Sequence, residues 1–255
     1  MLRNSINETS GNWHTKTEKF IFHNAQFNLS VKEEQLTPQT LKQQAYNYIK
    51  HRIKRCLYLP GEAIHELRIV EETGIGRTPV REALLALKEE NLVEVRPRKG
   101  TFAPMITEQM INEMYQIRQL LEPSVAVRYK QSFDKGQLLD YDTLFEQLDI
   151  RNDEEYYDLD IAFHQYILDV AKNPALSEFY SKTMFTQYRI GSYNSICGTA
   201  KKENYYSEHH AIITALLEED DKKIQDACMY HISRSHIISL QTLKSADLKK
   251  EDETL

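Results

Sequence analysis

The sequence has only three cysteines, Cys56, Cys197 and Cys228, an odd number with no two closely spaced. No disulfide framework or zinc-ribbon spacing is present, and the three read as small buried apolar residues of a reducing compartment. No apolar run approaches the ~20 residues that span a bilayer. The opening stretch MLRNSINETSGNWHTKTEKF lacks the apolar core of a signal peptide. The expected location is the cytoplasm, with no membrane partner. Positive charge is also short: the net charge is −6, which at first sight argues against a nucleic-acid binder.

That average hides a split. Residues 41–105 hold 12 Lys+Arg against 8 Asp+Glu, a surplus of four positive charges, whereas the rest holds 20 against 30, a deficit of ten. A basic segment on an acidic body points to a local anionic partner. With 255 residues, 41% hydrophobic and 27% charged, the chain is expected to be globular and to form two domains.

Residues 1–36 are polar and mixed. They are expected to form a partly mobile extension, in which FIFHNAQFNLSV (20–31) suits a short strand or packing on a neighbour. From 38 to 56, Leu41, Ala45, Tyr48, Ile49, Ile53 and Cys56 recur at helical spacing. Pro60-Gly61 predicts a turn, and HELRIVEETG (65–74) a short second helix that Gly74 can end. GRTPVREALLALKEE (76–90) predicts a third helix over about 77–91, and LVEVRPRKGTFAPM (92–105) a strand, tight turn and strand, with Val93 and Val95 alternating against Glu94 and Arg96. Beyond 105 no strand pattern occurs. Helices are expected from the candidate cap Thr107 over Met110, Ile111, Met114, Ile117, Leu121 and Val125, then near 137–149, 153–172, 175–192, 203–219 and 221–243. The expected fold is mainly α: a winged helix-turn-helix at 37–105, an all-helical antiparallel bundle of six or seven helices at 106–245, and a tail at 246–255.

In the third helix Val80, Ala83, Leu84 and Leu87 form the stripe to be buried. Arg77 and Arg81 then share another face, beside Thr78. Guanidinium forks take guanine O6/N7 or phosphate bidentately, the Thr78 hydroxyl suits a phosphate, and a helix N-terminus favours an anion. Pro79 is tolerated because first-turn amides lack intrahelical acceptors. Arg96, Arg98, Lys99 and Gly100 would bring charge and backbone amides to phosphate or minor groove. The alternative is a solvated basic helix end.

The stretch LPGEAIHELRIVEETGIGRTPVREALLALKEENLVEVRPRKGTF resembles the DNA-binding domain of the GntR family of bacterial transcriptional regulators, at nearly every position from Leu59 to Phe102. The resemblance implies DNA contacts from Arg77, Thr78 and Arg81, and from Gly100 at the wing. Two positions depart from the family pattern. Gly76 stands where a capping, phosphate-binding serine is usual, and Leu67 where an arginine is frequent, with Arg68 next to it as the substitute contact.

In the second half, Asp160 and His164 stand four apart, so on a helix a carboxylate and an imidazole could grip one cation. His209 shares a face with Ile212, Ile213 and Leu216, and His231 with Ile224, Ala227 and Cys228, which turns both inward. His210 and His236 are less clearly placed. The bland alternative is a set of hydrogen-bonded core histidines, with Asp160 paired to His164. The half from Thr107 to about 243 resembles the all-helical FCD effector domain of the FadR subfamily, through IRQLLEP (117–123), D-x-x-F-H (160–164), NP-x-L (173–176), EH-x-x-I (208–212) and a late histidine. That resemblance implies a divalent metal held by Asp160, His164, His209 and His231. Such a set suits Zn²⁺, Ni²⁺, Mn²⁺ or Fe²⁺. Arg118 falls at the family's helix-one arginine, as a partner for a ligand carboxylate or as a holder of Glu122 at i+4.

The function expected is a ligand-responsive transcriptional repressor: a homodimer on double-stranded operator DNA, released or retained by a small organic acid reaching the metal-containing bundle. A metal sensor, with the cation itself as signal, is the alternative. A metal-dependent hydrolase is the remote one, since no H-E-x-x-H or paired-carboxylate motif accompanies the histidines. No catalytic residue is expected.

Overall fold

The computed structural model describes residues 39–198 and 204–252, with side chains up to 246. The readings made for residues 1–36 lie outside the described residues. The chain divides into two compact units between Thr107 and Glu108.

The first unit opens with α1 (Leu41–Lys54), capped by the Thr40 side chain, which accepts from the Gln43 amide. After a turn come β1 (Ala63–Ile64), α2 (Glu66–Thr73) and α3 (Arg77–Glu89), then β2 (Glu94–Arg96) and β3 (Gly100–Phe102). Gly74, at φ 71°, closes α2, as a left-handed C-terminal position requires. Ala45, Ile49, Ile53 and Cys56 of the first stripe are buried with Ile69, Val80, Ala83, Leu84 and Leu87, whereas Leu41 is exposed. Apolar residues at helical spacing on three short helices thus share one core.

The sheet corrects the sequence reading. It has three strands in the order β1-β3-β2, all antiparallel, with Ala63 opposite Phe102 and Glu94 also opposite Phe102. The two-residue β1 sits directly after Pro60-Gly61 and is too short to show alternation. Gly61 makes it possible. It lies at φ 82°, a conformation that favours glycine, and its amide donates to the Ala103 carbonyl at 2.9 Å while the Ala103 amide returns to Glu62 at 2.9 Å. Val95 is another correction: it is exposed, and Val93 alone of that pair is buried.

The second unit is helical: α4 (Glu108–Arg128), a 3₁₀ turn at Lys130–Ser132, α5 (Lys135–Gln147), α6 (Asp153–Asp169), α7 (Pro174–Ile196), α8 (Tyr205–Glu218) and α9 (Asp221–Asp252). Side-chain caps start α5, α6 and α7 at Asp134, Asn152 and Asn173. The last helix runs on to Asp252, through most of the stretch expected as a tail. Helix α4 packs on α9 and α6, α7 packs on α6, and α8 packs on α9 and α5. The inward faces of α4, α6, α8 and α9 meet in the middle of this unit, and they carry polar side chains there.

Candidate metal centre and DNA-reading surface

The sequence commits α6 to a mixed inner face. Leu159, Phe163 and Ile167 are buried as apolar residues, and Asp160 and His164 are buried among them. Two further histidines arrive from other helices, His209 of α8 and His231 of α9, and both are buried. One ligand atom from each of Asp160, His164, His209 and His231 falls within 4.8 Å of the others. All four residues named from the sequence therefore come together. His210 and His236 do not: His210 pairs with Asp142 at 2.8 Å on the surface, and His236 with Asn112 at 2.7 Å.

Each of the three rings is fixed from behind. Nδ1 of His164 meets Glu122 Oε2 at 2.8 Å, Nδ1 of His209 meets the Tyr205 carbonyl at 2.9 Å, and Nδ1 of His231 meets Glu208 Oε2 at 3.0 Å. An oxygen acceptor on Nδ1 selects the tautomer with its proton there. All three Nε2 lone pairs then face inward. His164 and His231 bring theirs to 3.1 Å from each other, and His209 Nε2 stands 3.2 Å from Asp160 Oδ1. Two nitrogens bound to one Zn²⁺ at about 2.0–2.1 Å would lie about 2.9–3.4 Å apart, between right-angle and tetrahedral arrangements.

Two fillings could relieve these facing lone pairs. A proton on His164 would bridge to His231. Burial and Arg118 work against that proton, but Glu122 and Asp160 outweigh them and raise the His164 pKa above its ordinary value. It would leave His209 unserved, because His209 Nε2 is buried with no hydrogen-bond partner among the described residues. A cation serves all four ligands at once, and the donor set fits one. Burial disfavours a charged Asp160, yet His164 and His209 beside it hold its pKa well below the usual carboxylate range. Burial keeps His209 and His231 below theirs. Asp160, His209 and His231 are thus in the ionisation states a metal needs, and His164 would give up its proton on binding one.

The supporting shell was partly missed in the sequence. Glu122 is fully buried, and it accepts from Arg118 Nε at 2.5 Å and from the Tyr180 hydroxyl while holding His164. The i+4 pairing of Arg118 with Glu122 was legible. The roles of Glu122 towards His164, and of Glu208 towards His231, have no local sequence signal, since each joins residues on different helices. Arg118 is not among the residues lining the neighbouring cavity, and the one of its two expected roles seen in the geometry is the hold on Glu122. Its two terminal nitrogens nevertheless lie buried with no hydrogen-bond acceptor among the described residues. The cavity has a volume of about 60 Å³ and borders Asp160 and His231. Its walls include Tyr115, Tyr156, Gln187, Asn194 and Arg234.

In the first unit Arg77, Thr78 and Arg81 are exposed at the start of α3, opposite the buried Val80, Ala83, Leu84 and Leu87. Gly76 is the N-cap, in extended backbone, and no side chain caps the helix. Arg81 Nε contacts Glu66 at 2.7 Å, and Arg68 contacts Glu72 at 2.9 Å. At the wing, Arg98 and Lys99 are exposed and Gly100 lies at φ 112°. Arg96 pairs with Glu94 at 2.9 Å and lies 4.3 Å over the Phe102 ring.

Two family models match this architecture: bacterial regulatory proteins, gntR family, over residues 41–103, and the FCD domain over residues 113–234. The chain belongs to the GntR family and carries an FCD effector domain. Among curated relatives of this GntR protein, the HTH-type transcriptional repressor RspR of Escherichia coli K12 is 26% identical over 205 residues, which span 78% of this chain and 90% of that protein. The Exu regulon transcriptional regulator of the same organism is 27% identical over 224 residues, 79% of this chain and 85% of that one. The fold recurs in a GntR transcriptional regulator from Rhodococcus sp. RHA1, with TM-score 0.67, 19% identity, and 78% and 97% of the two chains covered. It also recurs in E. coli McbR/YncC, with TM-score 0.66, 21% identity, and coverage of 81% and 100%. The family consists of DNA-binding transcriptional regulators and not of enzymes, so the hydrolase alternative falls away. Among the described residues no helix is long and apolar enough to cross a membrane.

Proposed function

We propose that this GntR-family regulator acts in the cytoplasm as a repressor, a homodimer on a pseudo-palindromic operator, and that its FCD domain holds a divalent cation and answers to a small carboxylate. His209 Nε2 carries the metal part of this reading. It is buried, the Tyr205 carbonyl turns its lone pair inward towards the Asp160 carboxylate 3.2 Å away, and it meets no hydrogen-bond partner of good geometry among the described residues. Asp160, His164, His209 and His231 would hold Zn²⁺, Ni²⁺, Mn²⁺ or Fe²⁺. The ion would supply a positive charge at the wall of a cavity too small for a bulky ligand. Arg118, sealed against Glu122 and away from the cavity wall, would act on such an effector through Glu122 and His164. An effector that binds more tightly to one of two states of the regulator shifts operator occupancy by that difference.

Arg77, Thr78 and Arg81 would meet DNA in the major groove, Arg68 at its edge, and Arg98, Lys99 and Gly100 at the wing. The Arg81–Glu66 and Arg68–Glu72 contacts do not oppose this. Exposed ion pairs contribute about 0–1 kcal/mol and exchange readily for phosphate. The repressor sign is borrowed from RspR, which bears that word in its name.

The test is binding of the full chain to its own upstream DNA as salt is varied, with and without chelator, and with a panel of small organic acids. The reading expects salt-sensitive binding, its loss in Arg77→Ala/Arg81→Ala, one bound metal per chain, and an acid-dependent change. Binding that ignores salt and both arginines would sink the DNA assignment. Affinity that follows free metal while every acid is inert would establish the metal-sensor alternative instead.

A further inference from the structure

Building on the metal reading of the four-residue cluster, we propose that Arg234 captures an anion in the cavity and that Glu208, lying between Arg234 and His231, couples that capture to the metal. Glu208 precedes His209 on α8 and is buried. Its Oε2 accepts from His231 Nδ1 at 3.0 Å, and its Oε1 pairs with Arg234. His231 and Arg234 are three apart on α9 and share a face, so one carboxylate reaches both. The Arg234 side chain is 25% exposed. It lines the cavity that borders Asp160 and His231, and also an open depression on the outer side of α9 beside Met229 and Tyr230. It is the one Lys or Arg among the described residues lining the inner cavity.

Charge fixes the sign of the coupling. The carboxylates on the cavity wall are Asp160 and Glu208, and the cation is Arg234. Without a metal these sum to one negative charge, which repels an anion. A divalent ion on the cluster turns the sum to one positive charge, which attracts it. A second effect acts in the same direction. An anion that draws off part of the Arg234 guanidinium leaves Glu208 freer to accept from His231 Nδ1–H, and a stronger acceptor there makes His231 a more basic ligand. Metal and anion therefore strengthen each other, by the same factor in both directions. Arg234 recognises the anion, and Glu208 is a positioning residue that acts through His231.

The test is chelator-competition measurement of Zn²⁺ affinity on the full chain without DNA, in sodium acetate and in sodium chloride of matched ionic strength. Acetate is expected to tighten Zn²⁺ binding about 5- to 150-fold at saturation, the usual span of coupling between two sites. Arg234→Gln should still bind Zn²⁺ but lose the acetate effect, and Arg234→Lys should keep part of it. Glu208→Gln should weaken Zn²⁺ about 10- to 100-fold, as loss of a supporting carboxylate does, and shrink the acetate effect. Far-UV circular dichroism checks that each variant is folded. An acetate effect of full size in Arg234→Gln would overturn the proposal, because the anion would then be held by the metal alone. No acetate effect in the wild-type chain would overturn it equally. Wild-type protein that binds no Zn²⁺, like a His164→Ala control, would instead remove the metal reading on which it stands.

Discussion

Glu122→Ala is the substitution whose consequence follows most directly from this structure. Glu122 and Arg118 are both 0% exposed, and Arg118 Nε donates to Glu122 at 2.5 Å while its terminal nitrogens have no acceptor among the described residues. Removing the carboxylate leaves a buried guanidinium with no hydrogen-bonded counter-charge. Breaking a buried pair from one side destabilises by about 3–5 kcal/mol. The same substitution strips His164 Nδ1 and the Tyr180 hydroxyl of their acceptor. In a chain of this size each kcal/mol lowers the melting temperature by about 2–4 °C, so the expected fall is about 6–20 °C. Arg118→Met/Glu122→Gln should recover most of it, because it removes the charge and keeps an oxygen for His164 and Tyr180. Thermal melts followed by far-UV circular dichroism in chelator read both outcomes. If Glu122→Ala melts within about 4 °C of the wild type, or the double variant melts lower than the single, then something other than Glu122 neutralises Arg118 and the account of this core is wrong.

Four further outcomes are expected. Gly76→Ser places a Cβ whose nearest neighbour is Pro79 Cδ at 3.9 Å; a cap gain of a few tenths of a kcal/mol and one phosphate hydrogen bond should tighten DNA binding about two- to ten-fold by fluorescence anisotropy, and weaker binding would show that the start of α3 does not face phosphate. Arg77→Ala should cost about 1–3 kcal/mol on the operator, while Arg98→Ala should lower the slope of log affinity against log salt by about 1; a reversal of these two signatures would exchange their roles. Gly191→Ala would set a Cβ 2.3 Å from Tyr157 Cε1 on the cavity wall, so the melt should fall by about 1–3 kcal/mol equivalents, and an unchanged melt would mean that ring moves freely. For the metal-free protein the signs divide: burial depresses His209 and His231, whose stabilisation is present above their unfolded value near pH 6.5 and is lost as pH falls, whereas the raised His164 contributes below that pH and loses its contribution above it. With two histidines against one, the urea midpoint in chelator should drop from pH 7.5 to pH 5.5, and a midpoint that rises in acid would contradict the neutral state assigned to His209 and His231.

What the sequence made legible follows from the range over which each constraint acts. Val80, Ala83, Leu84 and Leu87 are buried as their spacing says, because one helix has to bury one stripe, and Arg77, Thr78 and Arg81 are exposed for the same reason. Asp160 and His164 were readable as a pair because i and i+4 on α6 face the same way. The strand β1 was not readable. Two residues cannot show a period, and its pairing with β3 depends on the turn at Gly61, closed by hydrogen bonds to Ala103 about forty positions further on. The surroundings of Arg96 were legible only in part: Glu94 is its same-face neighbour on β2, whereas the Phe102 ring reaches it only after the wing folds back. The supporting shell of the four-residue cluster shows the limit most clearly. Glu122 serves His164 across 42 positions and Glu208 serves His231 across 23, yet each carboxylate also carries an arginine, Arg118 or Arg234. The cluster is thus backed by two arginine–carboxylate pairs, of which one is sealed and one opens on the cavity. The sealed pair holds a ligand in place, and the open pair can be contested by an anion from the cavity. That difference in exposure, and not the identity of the four ligands, is what would let an effector speak to the metal.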